Sequence, residues 1–383
     1  EINKEVGTIT NTFEVPDDKI QIPVTKVWDD NGNIAGKRPS KVTVKLTGND
    51  GQEYTKELSI ANVVEDDENR WTDTFTNLPK YDSLGNIITY TLSEEPTGSI
   101  FYTEENTNIT GNMTEGFTVT NTFEVPDEKV SVDVTKTWVD TAEQQDKRPG
   151  SITVVLMNGD VEAGRQSLNG GNGWTYTFKN LDKYDSLGNE INYTVKEEGT
   201  NEFYQDVDIS GDMNTGYTIT NTFTKPTDTV EITVNKVWSD NNNEAGKRPS
   251  SVTLKVTGNG ETYTKEITEK DAVDGDRNKW SWTFTGLAKY DANGNEIVYT
   301  IDEENLSTNS EFYQKNVDQQ SKTITNTFQV PGENVTVRVT KVWKDNEDEA
   351  KKRPENVTLQ VKNGESVVAS EVVDGEDNWT HEF

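Results

Sequence analysis

The chain of 383 residues contains three matching sets of lysine, glutamate and asparagine, at positions that β-strands would turn towards a protein interior. Apolar and polar residues alternate in each segment, and Lys26, Glu94 and Asn121 occupy the apolar positions of theirs. Two further sets follow the same pattern, Lys136 with Glu197 and Asn221, and Lys236 with Glu303 and Asn326. Because lysine and glutamate are rarely buried without a partner, three sets in phase indicate a chemical role.

Burial changes what these side chains can do. Desolvation disfavours a charged amine, and holding a lysine neutral costs about 4–5 kcal/mol, whereas burial favours the protonated form of a glutamate. A neutral Lys26 amine can attack the side-chain carbonyl of Asn121 while Glu94 hydrogen-bonds that oxygen and carries protons to the leaving ammonia. The sequence therefore predicts an isopeptide bond between the two side chains. The alternatives are that these strand faces are partly exposed, or that lysine and glutamate form a buried salt bridge with asparagine as a hydrogen-bond partner.

These sets lie within a longer repeat that runs along the whole chain. In each complete repeat, Lys-x-Trp is followed by Lys-Arg-Pro and Trp-x-x-x-Phe, and the repeat closes with Ile/Val-Thr-Asn-Thr-Phe before a proline. Successive Lys-x-Trp motifs are 110, 100 and 105 residues apart, the length of one small domain. The expected organisation is the last strand of a preceding repeat (1–15), repeat 1 (16–125), repeat 2 (126–225), repeat 3 (226–330) and the N-terminal half of repeat 4 (331–383).

Each repeat has the sequence pattern of a β domain. Short runs alternate with a period of two, Asn-Gly pairs supply turns, and no segment carries a helical period. About 100 residues of short strands predict an all-β sandwich of the seven-strand type, and short proline-containing links predict a semi-rigid rod. The Trp-x-x-x-Phe pairs are expected in the core, and the Lys-Arg-Pro triplets are expected to pair with nearby carboxylates.

The order of these motifs resembles a known family, the collagen-adhesin B-type (CnaB-like) domains of Gram-positive surface proteins. The residues that carry the resemblance are Thr25-Lys26-Val27-Trp28, Lys37-Arg38-Pro39, Tyr90-Thr91-Leu92-Ser93-Glu94 and Thr120-Asn121-Thr122. The resemblance extends over nearly the whole chain. It implies tandem transthyretin-like or inverse immunoglobulin-like β-sandwiches, Lys–Asn cross-links promoted by a glutamate, and a stalk that presents an adhesive tip away from the cell wall.

The two ends depart from the pattern. Asn11 has no lysine before it, and Lys341 has neither the glutamate nor the asparagine after it. We expect both to remain unlinked, and the chain to be a segment of a longer array.

Composition disfavours several classes of function. A net charge of -31 disfavours binding to nucleic acid or to an anionic membrane, and no apolar run is long enough to span a bilayer. The absence of cysteine excludes thiol chemistry, and the single histidine, His381, argues against serine triads and histidine metal sites. The turn at 291–295 resembles the start of a calcium loop, but Glu296 stands where that loop requires glycine. We predict no metal and no cofactor.

These observations favour a structural role over an enzyme with turnover, because each site reacts once on its own chain. We expect the stalk of a bacterial surface adhesin, extracellular and anchored to the cell wall. Its partners would be the neighbouring repeats and, through another region, a host extracellular protein. The alternative is a module that contacts a host ligand directly, for which Trp280 and Trp282 are the candidate patch. A pilin polymerised by sortase would need a sorting signal and a donor-lysine motif, and neither is visible.

Overall fold

The computed structural model describes residues 2–3 and 8–383. These residues form β-strands and short 3-10 turns, with no α-helix among them, which confirms the all-β prediction. The chain divides into two compact units, Glu1–Pro226 and Thr227–Phe383. At the start of the first unit, β1 (Ile2–Asn3) pairs antiparallel with β2 (Thr8–Ile9). Residues 10–15 follow outside any strand, so the expected terminal strand over 1–15 reduces to these short pieces in the part that the structure describes.

Repeat 1 is a sandwich of a five-stranded and a three-stranded sheet, in the orders β6-β7-β3-β10-β9 and β5-β4-β8. Every second residue of its first strand is buried from Ile22 to Trp28, as the alternating sequence predicts. The strands are β3 (Lys19–Asp29), β4 (Lys41–Gly48), β5 (Glu53–Ser59), β6 (Val63–Val64), β7 (Asp67–Pro79), β8 (Tyr90–Glu94), β9 (Thr107–Asn112) and β10 (Gly116–Thr122).

Repeat 2 has the same two layers, ordered β14-β11-β17-β16 and β13-β12-β15. Its strands are β11 (Lys129–Val139), β12 (Ser151–Asn158), β13 (Val161–Asn169), β14 (Thr175–Asp182), β15 (Tyr193–Glu198), β16 (Asp206–Asp212) and β17 (Gly216–Thr222).

Repeat 3, in the second unit, is ordered β21-β22-β18-β25-β24 and β20-β19-β23. Its strands are β18 (Thr229–Ser239), β19 (Ser251–Gly258), β20 (Glu261–Thr268), β21 (Ala272–Val273), β22 (Asp276–Ala288), β23 (Thr300–Glu303), β24 (Tyr313–Asp318) and β25 (Thr323–Phe328).

Repeat 4 contributes two strand pairs, β26 with β29 and β27 with β28. Their bounds are β26 (Arg338–Thr340), β27 (Asn356–Asn363), β28 (Ser366–Asp374) and β29 (Thr380–Glu382). Seven 3-10 turns connect strands along the described chain, at Ile60–Asn62, Glu104–Asn106, Gln145–Lys147, Gly170–Asn172, Glu269–Asp271, Ser310–Phe312 and Asn346–Asp348.

The feature that matters for chemistry is the parallel pairing of the first and last long strands of each complete repeat. In repeat 1, Val119 lies opposite Lys26 and Asn121 lies opposite Trp28. Lys26 and Asn121 are therefore diagonal neighbours on one face, a separation that a long lysine side chain spans. The same register pairs Lys136 with Ile219 and Lys236 with Ile324.

The glutamates belong to the smaller sheet, across the core from the lysine and asparagine. Glu94 lies opposite Val44 on β4, Glu197 opposite Val154 on β12, and Glu303 opposite Leu254 on β19. Alternation sends neighbouring side chains to opposite faces. The Glu94 side chain is accordingly buried while Glu95 is exposed, as the sequence predicts.

Within the first unit, repeats 1 and 2 touch through a turn of repeat 2. Lys37 Nζ donates to Asn189 Oδ1 at 3.2 Å, and the ring of Phe101 packs edge-on against Tyr184 with centroids 5.9 Å apart. Gly188, with φ near +71°, lies so close to Phe101 that a Cβ atom would approach the ring at 2.5 Å. This contact accounts for a glycine in the turn.

Candidate functional site

The structure brings each predicted lysine, glutamate and asparagine set together in the core of its repeat. Lys26 and Asn121 are fully buried, as are their counterparts in repeat 3, and in repeat 2 Lys136 is 4 % exposed. The glutamate side chains of repeats 1 and 3 are also buried, while Glu197 is half-buried. The proximity that the sequence pattern implies is thus present in all three complete repeats.

In repeat 1, Lys26 Nζ lies 3.5 Å from Glu94 Oε1, a distance longer than an ordinary hydrogen bond. Four buried polar atoms have no hydrogen-bond partner: Lys26 Nζ, Glu94 Oε1 and both amide atoms of Asn121. Burial lowers the pKa of Lys26 from 10.5 to about 8, although the Glu94 carboxylate opposes the shift. An unpaired buried polar atom costs about 1–3 kcal/mol, so this cluster is an expensive arrangement for a structural role alone.

Repeat 3 shows the same arrangement with two additional hydrogen bonds, one of which runs from Lys236 Nζ to the Val237 carbonyl at 3.1 Å. Asn326 Nδ2 donates to Glu303 Oε1 at 2.7 Å, and Lys236 Nζ lies 3.5 Å from Glu303 Oε2. Burial lowers the pKa of Lys236 to about 8 against the attraction of Glu303. Asn326 Oδ1 remains unpaired. A cavity of about 110 Å³ adjoins Glu303 and Asn326, with Lys315 in its wall.

In repeat 2 the pKa shifts run in opposite directions on the two partners. Burial lowers the pKa of Lys136 to about 8 and raises the pKa of Glu197 above its ordinary value. Both shifts favour a neutral pair over an ion pair. Lys136 Nζ donates to the Thr137 carbonyl at 2.7 Å, and Asn221 Nδ2 donates to Glu197 Oε1 at 3.0 Å. Asn221 Oδ1 has no partner.

The residues at the ends of the array are placed differently. Lys341 is exposed, with its Nζ 4.7 Å from the ring of Trp343. Asn11 is exposed and lies outside any strand. Neither residue is gathered into a buried set like those of repeats 1 to 3, so the expectation that both stay unlinked remains a prediction.

An ion pair between the arginine of the Lys-Arg-Pro triplet and an aspartate lies beside each reactive set, and the sequence predicted it only in part. The arginine of each Lys-Arg-Pro triplet was expected to pair with a nearby carboxylate, and the structure identifies it as the one two residues after the tryptophan, as in Arg38 Nε to Asp30 Oδ2 at 2.7 Å. A tyrosine hydroxyl also donates to the same carboxylate, at 2.9 Å from Tyr102 to Asp30. Repeats 2 and 3 repeat the triad as Asp140, Arg148 and Tyr204, and as Asp240, Arg248 and Tyr313. A recurring Phe-Tyr pair at 101–102, 203–204 and 312–313 is the sequence signal that could have revealed it.

The aromatic patch considered for repeat 3 is mostly core. Trp280 is 1 % exposed, and Trp282 is about a third exposed with Lys265 Nζ 4.0 Å from its ring. The Trp-x-x-x-Phe pairs of repeats 1 and 3 belong to the core as expected, since Trp71 and Phe75 are both buried, whereas in repeat 2 Phe178 is buried and Trp174 is half-buried. Among the described residues, no group of three or more acidic, histidine or cysteine side chains could hold a metal ion. No helix in that part of the chain is long and apolar enough to cross a membrane.

The family described as Cna protein B-type domain matches four segments of the chain, 22–122, 132–222, 232–327 and 337–383. The chain belongs to this family. Each of the first three Cna B-type matches contains one complete set of lysine, glutamate and asparagine, and the fourth contains Lys341.

Relatives of these Cna B-type repeats come from surface proteins. A collagen adhesin of Staphylococcus aureus is 33% identical over 381 residues, which cover 99% of this chain and 29% of that protein. The chain therefore spans less than a third of that relative. A solved structure of two B repeat units of the Staphylococcus aureus collagen-binding protein is 31% identical, covering 96% of this chain and 88% of that one, with a TM-score of 0.34. A single B repeat unit is 32% identical, covering 54% and 100%, with a TM-score of 0.24.

Proposed function

We propose that this chain is a stalk segment of a bacterial surface adhesin, in which each complete repeat closes one Lys–Asn isopeptide bond on itself. The bonds join Lys26 to Asn121, Lys136 to Asn221, and Lys236 to Asn326, promoted by Glu94, Glu197 and Glu303. The observation that supports this most recurs in all three repeats: beside a buried lysine amine, one glutamate oxygen and the asparagine Oδ1 are buried without a hydrogen-bond partner. A buried salt bridge explains the lysine and the glutamate, but it leaves the amide oxygen of the asparagine without a partner.

The reaction begins with a proton transfer inside the pair. Moving a proton from the lysine ammonium to the glutamate carboxylate gives a neutral amine and a neutral acid, both of which burial favours. The acid then hydrogen-bonds the asparagine Oδ1 and draws electrons from Cγ, and the amine Nζ attacks that carbon. Glu303 lies beside both reactants, because one of its oxygens is 3.5 Å from Lys236 Nζ and the other accepts a hydrogen bond from Asn326 Nδ2, the nitrogen that later leaves.

The step balances without a cofactor. A bond forms between lysine Nζ and asparagine Cγ, and the bond from Cγ to Nδ2 breaks. The glutamate takes a proton from the attacking nitrogen and supplies one to the departing nitrogen, which leaves as ammonia. In repeat 3 the cavity beside Glu303 and Asn326 offers the ammonia a way out of the core.

The product suits a protein that is pulled. The bond in repeat 1 joins β3 to β10, which lie side by side in one sheet. Tension that enters through β3 leaves through β10 along covalent bonds, without separating the strands between them. Such repeats in series would present an adhesive region at a distance from the cell wall, and their amide cross-links would serve where a chain without cysteine has no disulfides.

The cellular setting follows from the relatives. The matched protein is a collagen adhesin, so we infer an extracellular chain anchored to the cell wall, with a host extracellular protein bound through another region. Each site reacts once on its own chain, and no turnover enzyme is implied. We also propose the repeat boundaries 16–125, 126–225 and 226–330 as the folding domains.

Peptide mapping tests the proposal site by site. A protease digest of the intact chain is expected to yield three branched peptides, each joining the lysine of a repeat to its asparagine. Lys341 and Asn11 are expected only in linear peptides, because the strand that would supply a glutamate is missing from residues 331–383. Linear peptides at all three predicted sites would refute the proposal, and a branched peptide joining Lys341 to Asn11 would show that the glutamate is dispensable or comes from another chain.

A further inference from the structure

One tyrosine in each complete repeat contacts both of the strands that carry the reacting side chains. In repeat 2 the ring of Tyr204 packs edge-on against Trp138, with centroids 4.9 Å apart, and against Phe223 at 5.8 Å. Trp138 lies two residues after Lys136, and Phe223 lies two residues after Asn221. The tyrosine ring therefore bridges the two strands close to the point where lysine and asparagine meet.

The same contacts recur in the other complete repeats, with centroids 5.1 to 5.9 Å apart. They join Tyr102 to Trp28 and Phe123, and Tyr313 to Trp238 and Phe328. In repeat 2 the tryptophan also faces the amine, because Lys136 Nζ lies 3.8 Å from the centre of the Trp138 ring. A shift of the tyrosine ring would therefore be passed through the tryptophan to the nucleophile.

The hydroxyl of each tyrosine is tethered to a buried charge. Tyr204 Oη donates to Asp140 Oδ2 at 2.6 Å, and Arg148 Nε donates to the same oxygen at 2.6 Å. The Asp140 side chain is 1 % exposed, so the carboxylate depends on these partners, and charge-assisted bonds of this kind are stronger than neutral ones. The hydrogen bond to Asp140 fixes the hydroxyl end of the ring, and packing against the two aromatic neighbours fixes the ring's orientation.

The backbone of this tyrosine reaches the asparagine directly in repeat 2. Asn221 Nδ2 donates to the Tyr204 carbonyl at 3.4 Å as well as to Glu197. These two contacts orient the carboxamide, whose nitrogen is the leaving group in the proposed reaction. Tyr204 thus contacts Trp138 and Phe223, which neighbour the two reactants along their strands, and it also contacts the reacting Asn221 itself.

We propose that Tyr102, Tyr204 and Tyr313 are positioning residues for the cross-linking reaction. The hydroxyl, bound to the Asp–Arg pair, fixes the ring between the tryptophan after the lysine and the phenylalanine after the asparagine. This keeps the amine and the carboxamide in attack geometry while the acid transfers protons. The inference rests on the proposed isopeptide function and adds to it a requirement outside the lysine, glutamate and asparagine.

The test compares two Tyr→Phe variants in repeat 2. Tyr204→Phe keeps the ring and removes the tether. Tyr193→Phe is the matched control, because its hydroxyl donates to the backbone carbonyl of Asp182 at 3.0 Å, away from the reactive set. Each chain is isolated unfolded in urea and folded by dilution, and the cross-link in each repeat is followed by mass spectrometry of digests. Repeats 1 and 3 of the same chain are internal references.

We expect Tyr204→Phe to slow cross-linking in repeat 2 by about tenfold or more, since small displacements of reacting groups cost that much or more in rate. Repeats 1 and 3 of that chain, and all repeats of Tyr193→Phe, should react at the original rate. Melting temperatures are compared in a Glu197→Gln background, in which repeat 2 carries no cross-link. If Tyr204→Phe and Tyr193→Phe lower the melting temperature of repeat 2 equally in that background, but only Tyr204→Phe slows cross-linking, the tyrosine acts by positioning the reactants and not only by stabilising the fold.

A Tyr204→Phe chain that cross-links repeat 2 at the unsubstituted rate would overturn the inference and leave the proposed function intact. A chain without substitutions that forms no cross-link in any repeat would refute the proposed function itself. If Tyr204→Phe does not fold, Asp140→Asn gives the same comparison by weakening the tether from its other end, with the same slowing expected.

Discussion

Replacing Glu94 with glutamine should cost repeat 1 most of its stability, by an amount that depends on pH. Glutamine has nearly the same shape but cannot accept the proton of Lys26, so Lys26 and Asn121 stay separate. The lost bond would have closed a loop of 95 residues, and on the chain-entropy model a loop of that size is worth about 4–5 kcal/mol. The neighbouring change Glu95→Gln, on the exposed face of the same strand, is the matched control.

A second contribution comes from the amine that now stays free in the core. The pKa of Lys26 is lowered by burial from 10.5 to about 8, so folding at neutral pH opposes its protonation. Glu94→Gln also removes the carboxylate that opposes this shift, so the folded pKa in the variant lies at about 8 or below. At 1.36 kcal/mol per pKa unit, the penalty at pH 7 is about 3 kcal/mol or more. Because the folded pKa lies below the unfolded one, this penalty is fully present below the folded pKa and disappears as the pH approaches 10.5. In the cross-linked chain it is absent, since an amide nitrogen does not titrate.

Calorimetry can measure both contributions. We expect Glu94→Gln to destabilise repeat 1 by about 8 kcal/mol or more at pH 7 and by about 5 kcal/mol at pH 10, the latter corresponding to a fall of about 20–40 °C in its melting temperature. The transitions of the other repeats should not move. The reasoning fails if Glu94→Gln shifts the transition of repeat 1 no further than Glu95→Gln does, or if the deficit grows between pH 8 and pH 10.

The other predictions concern the reaction rate and the response to force. The neutral lysine–glutamate pair that reacts holds one proton, the same number as the ion pair, so raising the pH to about 8 should not accelerate cross-linking of repeat 2. Above about pH 8 the reaction should slow, because Lys136 then loses its proton to solvent while Glu197 remains ionised, and no proton is left for the acid. Time courses of ammonia loss from pH 6 to 10 would reveal this, and a rate that keeps rising above pH 8 would mean that the glutamate carries no proton. Under tension in single-molecule pulling, repeat 1 should keep residues 26–121 folded between its linked strands, whereas Glu94→Gln should release about 300 Å of chain, at 3.3–3.6 Å per residue. Equal extension of the two chains would show that the strands are not tied.

The inward face of each strand could be read from the sequence because alternation alone determines it. Lys26 and Asn121 share the burial of their apolar neighbours in β3 and β10, and the in-phase repeats made their polarity conspicuous. The parallel register that makes them diagonal neighbours could not be derived in this way. This register depends on which strands, distant in sequence, lie side by side. The alternation of apolar and polar residues looks the same whichever strand is the neighbour, so it does not identify the partner.

The supporting residues were harder to find for a related reason. Arg38 was expected to pair with a carboxylate, but the choice of Asp30 depends on the turn at 31–36, which brings the two together. Tyr102 lies on the inner side of a loop with no alternation, so its hydroxyl contact with Asp30 had no periodic signal. The terminal segment 1–15 has the sequence of the last strand of a repeat, but such a strand forms only beside a neighbouring strand. Within this segment, the residues that the structure describes pair only as β1 with β2.

The intact mass of the folded chain tests the central claim most directly. Three complete sets predict a mass below the sequence value by three molecules of ammonia, and one molecule fewer is lost for each of Glu94→Gln, Glu197→Gln and Glu303→Gln introduced. Measurement under denaturing conditions ensures that only covalent bonds are counted. A mass equal to that of the unmodified sequence would contradict the proposed cross-links and leave buried salt bridges in their place.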